Sequence, residues 1–251
     1  MKHTLIFALI LAITASAMAQ TKVIAHRGYW KTEGSAQNSL RSFTKADSIG
    51  AYGSEMDVWL TADDHLVVNH DAVFKGVDFE KATLEQIRAI RLDNGEKVPT
   101  LSEYLELVAS KPNTRLILEL KSLSDMRREN KAAEMIAQEL AEYNVLGQTD
   151  IITFSINACL AFKKVMPDGV KIYYLDGDLS PKKIKRLGLA GIDYNMSTLR
   201  AHPEWIQQAH ELGLEVNVWT IRNIDDAIYF HKQGVDYITT DIPEEVLNAF
   251  K

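Results

Sequence analysis

Eight short, apolar, β-prone runs recur along the chain with amphipathic segments between them, and this alternation narrows the fold more than any other feature. The runs span 22–27, 54–60, 115–121, 150–155, 171–175, 191–195, 215–220 and 236–240. Apolar residues at helical spacing between them predict helices over 39–49, 126–143, 157–165, 203–212 and 225–233. Pro203 fits a first turn, and Gly213 and Gly234 fit helix ends. Eight βα units in 251 residues is the count of a closed (β/α)8 TIM barrel of the α/β class. An open doubly wound sheet competes, but the first run ends in His26-Arg27-Gly28 with no G-x-G-x-x-G loop. The stretch 62–101 breaks the rhythm. It reads as a small insertion above the barrel mouth between the second and third strands, with a short helix over 84–90. No Pro- or Ser-rich linker divides residues 20–251, which read as one domain.

At the start, Lys2 and His3 precede an apolar run from Leu5 to Ile13, and Ala17-Met18-Ala19 supplies small residues for a cleavage site. Residues 1–19 therefore read as a signal peptide, and the protein as exported to the periplasm or medium. The apolar run is well short of the ~20 residues a spanning helix needs, so no stable membrane anchor is expected. Cys159 is the single cysteine, which leaves no internal disulfide and makes a buried small apolar side chain its expected role. The formal charge of −6, with both signs intermixed, supplies no basic stripe for nucleic acid. A small anionic partner remains compatible, and the oligomeric state is open.

In such a barrel the active site gathers at the C-terminal ends of the strands. The first end offers His26 and Arg27, the second Glu55 and Asp57, the following loop His70 and Asp71, and the third Glu119 and Lys121. Alternation along a strand points Glu55 and Asp57 one way, and likewise Glu119 and Lys121. Three converging carboxylates suit a hard divalent cation, Ca²⁺ or Mg²⁺, rather than zinc, which favours imidazole or thiolate. The competing reading is ion pairing with Arg27 and Lys121. Two imidazoles flanking a phosphate can divide proton removal from proton donation, and Arg27 and Lys121 can hold its charge. The remaining histidines, His3, His65, His202, His210 and His231, fall in the leader, a loop or helix faces and read as structural. No G-x-S-x-G elbow, H-E-x-x-H pair or cysteine pair supports other hydrolytic chemistries.

The runs Val23 to Gly28, Gln37-Asn38-Ser39, Glu55-Met56-Asp57-Val58 and Asn69-His70-Asp71 resemble the glycerophosphodiester phosphodiesterases. Val98 to Glu103, Leu118 to Lys121, Val218-Trp219-Thr220 and Gly234 through Pro243 fit the same family in the same order. The resemblance implies a (β/α)8 barrel that hydrolyses a small-molecule glycerophosphodiester to glycerol 3-phosphate and an alcohol, with one divalent cation. It implies Glu55, Asp57 and Glu119 as metal ligands, His26 and His70 as acid and base, and Arg27 and Lys121 facing the phosphate. Trp219 would either pack against the glycerol carbons or belong to the core. Gln37, a substrate-binding candidate, stands where the family usually has Glu, and Phe74-Lys75-Gly76 stands where it commonly has Arg-Thr-Thr. Both departures lie at the mouth and bear on the head group or rate. Two other readings stay open: a phospholipase of the related barrel group, and a non-catalytic binder of phosphodiester head groups.

Overall fold

The computed structural model describes residues 20–251, and the leader predicted over 1–19 lies outside the described residues. The strands are β1 (Lys22–Ala25), β2 (Gly53–Leu60), β3 (Leu66–Val68), β4 (Val73–Phe74), β5 (Val77–Asp78), β6 (Arg115–Leu120), β7 (Thr149–Thr153), β8 (Ile172–Tyr174), β9 (Gly191–Asn195), β10 (Glu215–Ile221) and β11 (Tyr237–Thr240). Strands β1, β2 and β6 to β11 are parallel neighbours, and β1 bonds to both β2 and β11, which closes the eight-stranded barrel. These are the eight runs expected from the sequence.

The irregular stretch after β2 is also where expected, and its internal structure is now resolved. β3 turns back antiparallel along the upper part of β2, from Val58 to Leu60. β4 and β5 form a separate two-stranded hairpin, and the helix Leu84–Arg88 follows. His70 thus leaves the end of an appended antiparallel strand rather than a barrel strand.

Helix boundaries follow local chemistry. Ser39 accepts from the Ser42 amide at the start of Leu40–Ser48. Thr83 with Gln86, and Thr100 with Glu103, form reciprocal capping boxes that satisfy two otherwise orphaned amides each. Gly234, at φ +83°, ends Ile224–Gln233 in a conformation that favours glycine. Pro203 sits one position earlier than expected: the helix begins at Glu204, so the proline occupies the cap rather than the first turn.

Two apolar layers support the mouth. Between strands and helices, Phe43, Leu60, Leu105, Phe162 and Phe230 are fully buried. Cys159 is buried in this layer, and burial pushes its thiol up to about 12, so it packs as an apolar residue. Inside the barrel, Ile24, Ile117, Ile152, Tyr173 and Tyr237 form a second cluster. Ile117 and Glu119 share one face of β6, so this plug is the floor on which the polar residues stand. Each buried isoleucine contributes roughly 1.5–3 kcal/mol of transfer free energy.

Candidate active site

The parallel register of β2 and β6 sets Asp57 opposite Glu119 and Glu55 opposite Ile117. Because side chains alternate, Glu55, Asp57 and Glu119 all face the barrel axis. All three are buried, and one oxygen from each lies within 4.8 Å of the others. Glu55 Oε1 is buried with no hydrogen-bond partner among the described residues.

Three acids in so small a volume cannot all stay ionised alone. Burial, with Asp57 and Glu119 beside it, holds the Glu55 carboxyl well above the usual carboxylate range. Burial and Asp57 push Glu119 up to about 7, against the pull of Lys121. Asp57 differs: burial opposes its charge, but Lys121, His70, Arg27 and Asn38 hold it down at about 2. Lys121 Nζ lies 2.7 Å from Glu119 Oε1 and 3.2 Å from Asp57 Oδ1. The ion pairing considered from sequence is therefore present at Lys121, but one lysine bridges two acids and leaves Glu55 Oε1 free. An orphaned buried oxygen beside two more carboxylates is an all-oxygen donor set with uncompensated charge, and it fits a hard divalent cation.

The turn after β1 is built tightly. Arg27 adopts φ +55°, which points its amide at Glu55 Oε2, 2.7 Å away. Gly28 follows at φ +76°, where a Cβ would lie 2.6 Å from Ser42 Cβ. The Arg27 guanidinium donates to Gln37 Oε1 at 2.6 Å and comes within 3.9 Å of Asp57. Asn38, at φ +59°, forms a reciprocal pair with Asp57: its Nδ2 donates to Oδ2 at 2.8 Å, and the Asp57 amide donates to its Oδ1 at 3.2 Å. Sequence reading gave Asn38 no role. Its placement between Gln37 and Ser39, and the tolerance of asparagine for left-handed backbone, were the available signals.

Both histidines are anchored through Nδ1. His26 Nδ1 is 2.7 Å from Asp241 Oδ1, and His70 Nδ1 is 2.8 Å from Asp71 Oδ1. With Nδ1–H donated to a carboxylate, a neutral imidazole presents Nε2 as acceptor. Burial lowers the pKa of His26, although its bond to Asp241 opposes the shift. Burial also lowers that of His70, against the attraction of Asp57. Burial works against the charge on Asp241 too, but His26, Lys31 and Arg222 keep its carboxyl far below the ordinary range. The Thr240-Asp241-Ile242-Pro243 motif was visible in the sequence, but its service to His26 was not.

One cavity gathers His26, Arg27, Glu55, His70, Glu119, Lys121 and Trp219. Asp57 lies just behind them, and Gln37 lines an adjoining cavity that also contains His70. Trp219 is partly buried on the wall opposite the acids, held by its Nε1 donating to the Asp193 carbonyl at 2.9 Å and by edge-on packing against Phe154. All nine candidate residues therefore converge at one end of the barrel. The set can hold a cation, bind an anion and move protons at two imidazoles.

A family model described as the glycerophosphoryl diester phosphodiesterase family matches residues 26–245. A glycerophosphodiester phosphodiesterase from Caldanaerobacter subterraneus is 30% identical over 247 residues, spanning 92% of this chain and 98% of the relative. The crystal structure of a glycerophosphodiester phosphodiesterase from Parabacteroides distasonis superposes with a TM-score of 0.91 at 45% identity, covering 92% of this chain and 97% of that one. A phosphodiesterase from Oleispira antarctica, solved in complex with the product sn-glycerol-3-phosphate, shares the fold with a TM-score of 0.77 at 24% identity, covering 92% of this chain and 96% of its own.

Proposed function

The chain belongs to the glycerophosphoryl diester phosphodiesterase family and is a phosphodiester hydrolase, and on that premise we propose a two-histidine, metal-dependent mechanism at the barrel mouth. The reaction converts a glycerophosphodiester to glycerol 3-phosphate and an alcohol. The observation that carries this reading is the convergence, at one cavity, of two Nδ1-anchored histidines with Glu55 and Glu119 on its wall and Asp57 clustered with them. The sn-glycerol-3-phosphate bound in the Oleispira antarctica phosphodiesterase supports the product class.

Arg27 and Lys121 bind the phosphate, the first as a planar fork and the second as a point charge. Trp219 packs on the glycerol carbons. One imidazole takes the proton of the substrate's own 2-hydroxyl as that oxygen bonds to phosphorus, and the other protonates the departing alcohol as its P–O bond breaks. The negative phosphate favours the charged form of the imidazole that serves as acid. Water then opens the cyclic phosphate with the two roles exchanged. Asp241 and Asp71 fix the ring tautomers throughout. Glu55, Asp57 and Glu119 would hold one divalent cation, Ca²⁺ or Mg²⁺, which when bound offsets phosphate charge and acidifies the hydroxyl. With its leader removed after Ala19, the enzyme acts in the periplasm or medium.

The test is a panel of glycerophospho-alcohols assayed for glycerol 3-phosphate release, with and without chelator, using wild type and His26→Ala. Expected is activity that chelator and the substitution each abolish. Binding of the diesters without turnover, in the presence of Ca²⁺ or Mg²⁺, would replace the enzyme with a binder. Charged residues on the rim, Lys31, Asp71, Lys75 and Asp93, favour a soluble diester over an intact lipid.

A further inference from the structure

A phosphodiester has two arms, and the catalytic cavity accounts for one. His70 also lines a second cavity, on the side away from Trp219, bordered by Trp30, Lys31, Gln37, Asn69 and Phe74. A diester whose phosphate lies at Arg27 and Lys121, with its glycerol against Trp219, directs its alcohol past His70 into this space.

The walls discriminate between kinds of alcohol. An ammonium head group seeks aromatic faces and unpaired carboxylates. Here Lys31 Nζ already lies 5.2 Å from the centre of the Trp30 ring, and Lys75 Nζ lies 5.0 Å from that of Phe74. The nearby carboxylates are also engaged: Asp71 accepts from His70 Nδ1 at 2.8 Å, and Asp93 pairs with Lys75 at 3.1 Å. A second positive charge would meet lysines on both sides.

Neutral hydrogen-bonding groups remain. Trp30 Nε1 is buried with no acceptor among the described residues. Gln37 uses its amide oxygen on Arg27, so its amide NH2 group is left to donate. Indole and amide N–H groups suit hydroxyl oxygens. We infer that this second cavity is the leaving-group subsite and that it selects an uncharged polyol, such as glycerol or inositol, over choline or ethanolamine. The inference rests on the proposed diesterase reading.

The experiment compares kcat/KM of the full chain for glycerophosphoglycerol and glycerophosphoinositol with that for glycerophosphocholine and glycerophosphoethanolamine. The polyol esters should lead by about tenfold, the discrimination of one neutral hydrogen bond. Trp30→Phe keeps an aromatic ring, removes the donor, and should erase most of that lead, read as the ratio of the kcat/KM values for the two kinds of ester. Gln37→Glu should move the ratio toward the ammonium esters, and the ratio cancels any general effect on rate. Equal rates, a lead for the ammonium esters, or a ratio unmoved by both variants would overturn the subsite. Failure to hydrolyse any of the four defeats instead the diesterase reading beneath it.

Discussion

Asp241 Oδ1 lies 2.7 Å from Nδ1 of His26, although 215 residues separate the two in the chain. With Nδ1–H donated to this carboxylate, Nε2 is left free for the role at the phosphate proposed above. Asp241→Asn should lower kcat by about 10²-fold or more while changing KM little, the pattern of an interaction that matters most in the transition state. Steady-state kinetics across a pH series will check it. A loss confined to KM would assign Asp241 to substrate binding instead.

Glu119 would share with Glu55 and Asp57 the burden of the proposed cation. Loss of an outer-shell partner typically costs ~10–100-fold in metal affinity, and Glu119→Gln, which removes a direct oxygen charge, should cost at least as much. Isothermal titration of chelator-stripped protein with Ca²⁺ and with Mg²⁺ reads this directly. Unchanged affinity would take Glu119 out of the ligand set.

Gly28 has room for hydrogen and nothing larger. A Cβ there would lie 2.6 Å from Ser42 Cβ and 2.7 Å from the Ser42 carbonyl carbon, at a φ of +76°. Overpacking and backbone strain together predict a loss of about 3 kcal/mol for Gly28→Ala in urea unfolding. Adding Ser42→Gly should recover part of it. A loss below about 1 kcal/mol would mean that the turn yields more readily than its contacts suggest.

Glu139 carries a stability signal far from the site. Its Oε2 is buried with no hydrogen-bond partner among the described residues. Burial and then Glu142 push its carboxyl up to about 7, against a weaker pull from His65. The folded state therefore holds its proton over a range, between the ordinary carboxylate value and about 7, in which the unfolded chain has released it. Stability present below that range is lost as pH rises through it. Discounting for its exposed part, Glu139→Gln should gain about 1 kcal/mol on wild type between pH 4 and pH 8. Thermal melts at the two pH values provide the check, and parallel shifts would contradict it.

The strands were legible because each is apolar and bounded by turn residues or helices, and the acids because period-two alternation puts Glu55 with Asp57 whatever the register. The reversal of Leu66–Val68 onto β2 was less legible, since three residues are too few to show their direction. Pro203 was read one position late because either side of a helix start suits proline. Asn38 and Asp241 escaped for a different reason. Their value lies in side-chain bonds to Asp57 and His26, and only the closed barrel brings those partners within reach.

The seam between β1 and β11 gives the enzyme a timetable. During synthesis the first strand emerges early and waits for nearly the entire chain before its second neighbour exists. Until Tyr237–Thr240 arrives, the barrel has a gap, and Asp241, one residue later, is not there to orient His26. Helical and βα pieces can form meanwhile, but closure of the barrel comes last. A chain interrupted anywhere before that strand lacks both the second neighbour of β1 and the carboxylate that anchors His26, whatever else it has folded.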